Sequence, residues 1–94
     1  MHEEILDFIE RRWRGTDARL DSQNCYWFAY ILIKRFPLLN IYYLPVQGHF
    51  IAGDGKKFYD AGGEVHPSKD LISLDYIFMN EPNWYYRLMR DCRE

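Results

Sequence analysis

Apolar residues recur at helical spacing near the start of the chain. Acidic residues precede this stripe and arginines follow it, so both kinds of charge interact favourably with the helix dipole. The pattern predicts an amphipathic helix over residues 3–14 that ends at Gly15, followed by a polar loop over residues 16–24. The apolar stripe carries four residues: Ile5, Phe8, Ile9 and Trp13.

The next segment is apolar on nearly every side. It begins at Cys25, directly after residues that favour helix N-caps (Asp21, Ser22 and Asn24), and it stops before Pro37, which a helix interior does not tolerate. A helix without a polar face is buried. We therefore predict a central helix from about Cys25 to Phe36.

The middle of the chain has the character of strands. Residues 40–44 are rich in Ile and Tyr and end at Pro45. Two further runs, residues 48–53 and 56–60, flank Asp54-Gly55, a dipeptide typical of two-residue hairpin turns. Glycines at 62 and 63 break the second run, and residues 64–71 favour another short extended piece.

Helical spacing returns towards the end of the chain. Leu71, Leu74, Ile77 and Phe78 predict one helix, and Pro82 is a favourable first residue for the last one. Helices, then strands, then helices indicate a single α+β domain over residues 1–94, with a central buried helix on a small antiparallel sheet. One side of the last helix carries Trp84, Tyr85, Leu88, Met89 and Cys92.

Composition narrows the functional classes. Hydrophobic residues make up 48% and aromatic residues 18% of the chain, which indicates a folded protein. The net charge is −2, and the one short basic run, Arg11 to Arg14, is typical of a solvated helix face, so we expect no nucleic-acid partner.

The longest apolar stretch is too short to span a membrane, and the acidic start is unlike a signal peptide. We therefore expect a cytoplasmic protein. Its two cysteines, at positions 25 and 92, are far apart, and we expect no disulfide framework in a reducing compartment.

Cys25 is the first residue with potential chemistry. A thiolate is the reactive form of cysteine, and amides at a helix N-terminus lower the pKa of a thiol and bind an oxyanion. Taken alone, a cysteine in this setting is more often a small core residue.

His49 and Asp60 give Cys25 two partners. If Asp54-Gly55 is a two-residue turn, His49 lies directly opposite Asp60 on one face of the sheet, where an imidazole reaches a carboxylate. A carboxylate there orients the imidazole, as the third member of a catalytic triad does. The same face carries Ile51 and Phe58, which we expect to pack on the central helix and to bring His49 towards Cys25.

This order of a helix cysteine, a strand histidine and a strand aspartate resembles papain-like cysteine hydrolases and transglutaminase-like proteins. The resemblance rests on Asn24 to Ala29, on Gly48 to Ile51 and on Phe58 to Gly62. Asn24 to Ala29, together with Ile41 to Tyr43, Gly48 to Phe50 and Tyr59-Asp60, also resembles small proteins of Gram-positive bacteria and their phages that have no assigned function. The resemblance implies a minimal papain-like core and a Cys-His-Asp triad that acts on an amide, thioester or isopeptide bond.

The site prediction extends to the residues before Cys25. Its backbone N–H is the first candidate for an oxyanion donor, and Gln23 or Asn24 supplies a side-chain amide. The expected partner is a protein or peptide, with no cofactor and no metal. A zinc site built from cysteine, histidine and aspartate has no supporting spacing. The alternative function is a non-catalytic module that keeps the fold and binds a protein partner.

Overall fold

The computed structural model describes residues 1–12, 22–60 and 62–93, without the side chains of residues 12, 22–25 and 91–93. Helix α1 spans His2–Arg12 and buries Ile5 and Ile9. The predicted helix end at Gly15 and the predicted apolar position of Trp13 both lie outside the described residues. Helix α2 spans Ser22–Arg35. It therefore begins three residues before the predicted start at Cys25.

Within the described residues, the sheet has five antiparallel strands in the order β4-β3-β2-β1-β5. Together with the four helices of the same residues, this sheet confirms the α+β class. The strands run in chain order as β1 Asn40–Leu44, β2 His49–Gly53, β3 Phe58–Asp60, β4 Gly63–Val65 and β5 Ile72–Ser73.

The β2–β3 connection differs from the predicted two-residue turn. It contains four residues, 54–57, because the Asp54 carboxylate accepts hydrogen bonds from the backbone N–H groups of Lys56 and Lys57, each at 2.8 Å. These bonds hold the pKa of Asp54 below its usual value. The register moves by two residues, and Ala52 pairs with Tyr59 while Gly53 pairs with Phe58. A shift of two keeps every side chain on its predicted face.

Helix α2 packs on the sheet through one strand face. Phe50, Ala52 and Tyr59 share the main core with buried residues of α2, among them Phe28 and Leu32. Because side chains alternate along a strand, Ile51 and Phe58 lie on the other face. The expectation that Ile51 and Phe58 pack on the central helix and bring His49 towards Cys25 is therefore wrong, since His49 and Asp60 share that other face.

The last third of the chain is mainly helical. Residues 66–71 link the two edges of the sheet, and Asp70 in this link accepts a hydrogen bond from the Val46 N–H at 3.3 Å. Helix α3 spans Leu74–Asn80, and the Ser73 hydroxyl caps it by accepting from the Tyr76 N–H. Helix α4 spans Pro82–Arg93 and buries Met89 against the main core.

Candidate active site

The structure brings His49 and Asp60 together. His49 Nε2 lies 3.3 Å from Asp60 Oδ2, and the side chains are 19% and 15% exposed. The two residues are diagonal neighbours across the β2–β3 pair, because the observed register places Asp60 two residues from the position opposite His49. The contact predicted from the sequence is present, although the turn from which it was predicted is not.

Asp60 is held in place by its own backbone. Its Oδ1 accepts a hydrogen bond from the Gly62 N–H at 2.8 Å, so one carboxylate oxygen binds the chain and the other faces His49. When His49 donates Nε2–H to Asp60, Nδ1 becomes the basic nitrogen of the ring. The pair is therefore built to hold an imidazole in one orientation and one tautomer.

The predicted nucleophile occupies a defined place in the backbone. Cys25 is the fourth residue of α2, and its side chain lies outside the described part of the chain, as do the side chains of Gln23 and Asn24. Backbone N–H groups in the first turn of a helix have no partner within that helix, so residues 22–24 supply the free donors there. Because α2 begins at Ser22 rather than at Cys25, the N–H groups without a partner in the helix belong to the residues before Cys25. The backbone N–H of Cys25, predicted as the first oxyanion donor, is therefore not one of them.

One ring contact shows where α2 begins relative to His49. The rings of Tyr26 and Phe50 lie 5.4 Å apart in an edge-to-face arrangement. Tyr26 directly follows Cys25 in α2, and Phe50 directly follows His49 in β2. The first turn of α2 and the first residue of β2 therefore lie at the same end of the sheet, but the His49 side chain lies on the face opposite to Phe50, away from the face on which α2 packs.

A second polar cluster lies beside the strand that carries Asp60. The buried Tyr59 hydroxyl lies 2.6 Å from His2 Nδ1, and His2 Nε2 lies 3.8 Å from Glu64 Oε1. Burial, aided by the charges of Asp54 and Glu64, raises the pKa of Tyr59. The sequence interpretation assigned no role to these side chains. The alternation that buries Phe50 and Ala52 also buries Tyr59, and a buried tyrosine hydroxyl requires a partner.

The described residues form neither a metal site nor a membrane-spanning helix. Among the described side chains, no three of the types His, Cys, Asp and Glu gather as metal ligands would. None of the helices within the described ranges combines the length and the apolar character that a membrane span requires.

The comparisons with known proteins place the chain in a family. No curated protein matches the chain, and no solved structure matches it. The family model described as Phage YunG-like protein matches residues 12–91, which include α2, the whole sheet and both candidate-site strands. The chain therefore belongs to the Phage YunG-like protein family.

Proposed function

We propose that this protein is a thiol hydrolase or acyltransferase acting on an amide, thioester or isopeptide bond of a protein or peptide. Cys25 is the nucleophile, His49 the general base and acid, and Asp60 the group that orients His49. The observation that carries the proposal is the 3.3 Å contact between His49 and Asp60, at the end of the sheet where α2 begins. The proposal requires the Cys25 sulfur to reach His49 around that end, because α2 packs on the opposite face of the sheet.

The chemical steps follow from the orientation of the imidazole. His49 Nδ1 takes the proton of the Cys25 thiol, and the thiolate sulfur bonds to the carbonyl carbon of the substrate. The oxyanion that forms is bound by N–H groups in the first turn of α2, with the side-chain amide of Gln23 or Asn24 as a further donor. When the bond to the leaving group breaks, His49 returns the proton to that amine or thiol. Water, or an acceptor amine, then releases the acyl group from sulfur by the same route.

The pair has the properties expected of a general base and its orienting group. His49 remains partly exposed, so a substrate reaches its ring, while the low exposure of Asp60 strengthens their interaction. An aspartate of this kind keeps the imidazole in its productive orientation and stabilises the imidazolium that forms during the reaction.

Acylation with an activated ester tests the proposal. All proteins carry Cys92→Ala, which leaves Cys25 as the one thiol of the chain. We expect p-nitrophenyl acetate to acetylate Cys25 and to release nitrophenolate in a burst. His49→Ala lowers the burst rate by about 10²–10⁴-fold, the usual contribution of a general base. His66→Ala, which removes a histidine from an exposed position, is the matched control and leaves the rate unchanged. Equal rates in His49→Ala and His66→Ala would contradict the proposal.

A second candidate function rests on the outer face of α2. Trp27, Tyr30 and Ile31 are exposed there at helical spacing, and the rings of Trp27 and Tyr30 lie 5.9 Å apart. Exposed aromatic patches are typical of protein interaction sites. A binding module that uses this face retains its partner in Cys25→Ala and loses it in Trp27→Ala, whereas an enzyme loses turnover in Cys25→Ala.

A further inference from the structure

An open cleft lies at the β5 edge of the sheet. Its volume is about 430 Å³, and most of its lining is apolar. It is formed by the residues just before α3 and by one residue of that helix: Leu71, Ile72, Ser73 and Tyr76. A cleft of this size accepts one or two side chains of a ligand, and its lining gives it a preference for apolar ones.

Beside the cleft, the backbone of β5 has an outer edge. Ser73 pairs with Tyr42, Ile72 pairs with Tyr43, and β5 is the last strand on its side of the described sheet. In an antiparallel pair, neighbouring residues point their N–H and C=O groups alternately towards the partner strand and away from it. One of the two β5 residues therefore presents both groups to the outer edge, next to the cleft.

A helix covers the opposite edge of the sheet, which is formed by β4. Helix α1 packs against β4, and His2 lies 3.8 Å from Glu64 of that strand. A helix that covers an edge strand blocks the addition of another strand. Of the two edge strands, β5 therefore combines an outward backbone with an apolar cleft.

Charge identifies the kind of peptide that suits this edge. Asp70 and Asp75 flank the cleft-forming residues in the chain, with Lys69 as the single nearby base, so the segment has a net charge of −1. The pKa of Asp70 is held below its usual value, first by the Ser68 hydroxyl and also by the Val46 N–H, so this carboxylate is charged at neutral pH. A basic residue beside an apolar one complements this surface.

We propose that the β5 edge binds an extended peptide that adds to the sheet as a further strand. The peptide places an apolar side chain in the cleft beside Tyr76 and carries a lysine or arginine near it. Main-chain hydrogen bonds give such complexes their affinity, and side-chain pockets give them their specificity. This binding does not depend on the thiol chemistry proposed above, so either proposal can fail without the other.

The test uses a fluorescein-labelled peptide with a central leucine, flanking valines and a lysine at each end. Its affinity for the full chain is measured by fluorescence anisotropy, and the contact is located from amide shifts of the ¹⁵N-labelled protein. Two further peptides are methylated on alternate backbone nitrogens, in the two possible phases. Because only one edge of an added strand faces β5, we expect one phase to weaken binding by about tenfold or more and the other to have little effect.

Variants of the protein test the cleft itself. Tyr76 is 57% exposed, so Tyr76→Ala preserves folding, and it weakens binding by about fivefold or more. Tyr86 is 62% exposed on α4 and does not line the cleft, so Tyr86→Ala is the matched control without effect. Replacing the peptide lysines by glutamates also weakens binding.

Three results overturn the proposal. The first is equal affinity of the two methylated peptides, which excludes pairing through one backbone edge. The second is shifts centred on β4 rather than on β5 and the start of α3. The third is the absence of binding by the parent peptide up to about 1 mM.

Discussion

Gly53→Ala perturbs the register that unites His49 and Asp60. A Cβ atom on Gly53 would lie 2.4 Å from Phe58 Cδ1 and 2.8 Å from the backbone oxygen of Lys57. The Phe58 ring is held in an edge-to-face contact with Tyr42, and the oxygen of Lys57 moves only if the start of β3 moves with it. The substitution therefore separates β2 from the strand that carries Asp60.

The magnitude follows from the two contacts. Forcing an additional carbon into a packed site costs about 1–3 kcal/mol. With one of the two clashes on backbone, we expect a loss of about 2 kcal/mol in the free energy of unfolding, which lowers the melting temperature of a chain of this size by about 10 °C. The His49–Asp60 contact lengthens because Asp60 lies two residues after Phe58 in β3.

Urea unfolding and NMR spectra of the histidine rings measure both effects. The double variant Gly53→Ala/Phe58→Ala is the control, compared with each single variant. Removal of the ring removes one clash and leaves the other, so we expect a favourable coupling of about 1 kcal/mol between the two sites. A Gly53→Ala protein with wild-type stability and an unchanged His49 spectrum would refute the predicted clash and its link to the site.

Three further predictions concern the stability of the fold. Tyr59→Phe removes the hydroxyl that contacts His2. Because a hydrogen bond contributes about 1 kcal/mol net, we expect calorimetry to show a melting temperature lower by about 4–8 °C. An unchanged melting temperature would show that this contact does not stabilise the fold. Leu32→Ala, at a fully buried site, costs about 2–5 kcal/mol in urea unfolding, whereas the exposed neighbour Ile31→Ala changes stability by less than about 0.5 kcal/mol; similar losses would contradict the burial assigned to α2. The pKa of Asp54 is lowered in the folded state, so its charge stabilises the fold above the unfolded pKa of about 3.9 and this contribution disappears as pH falls through the lower folded pKa. Asp54→Asn should therefore reduce stability slightly at neutral pH and match the wild type in strong acid; an equal difference at both pH values would count against this linkage.

The sequence predicts the elements of this fold better than it predicts their junctions. Residues 40–44 and the start of α4 at Pro82 agree with the structure because β-rich composition and proline act locally. The β5 strand was missed, since a two-residue strand has no periodicity of its own and forms only through its pairing with β1.

The hairpin shows why a contact can be predicted from an inaccurate turn. Asp54-Gly55 favours a two-residue turn, but the Asp54 carboxylate binds two backbone N–H groups and lengthens the loop. The resulting shift is even, so His49 and Asp60 remain on one face and meet diagonally. The predicted route to Cys25 is wrong, because His49 and Asp60 lie on the sheet face opposite to α2. The Tyr26–Phe50 contact relates α2 to β2 only at the end of the sheet.

The reactivity of Cys25 tests the proposed site most directly. In a Cys92→Ala background, the rate of alkylation by iodoacetamide is measured from pH 4 to pH 10 in the parent protein, in His49→Ala and in Asp60→Asn. The account predicts a rate plateau in the parent that begins well below the pKa of a free thiol, about 8.5. His49→Ala should remove the plateau, and Asp60→Asn should weaken it. A single rise near pH 8.5 that is the same in all three proteins would contradict the Cys25-His49-Asp60 site.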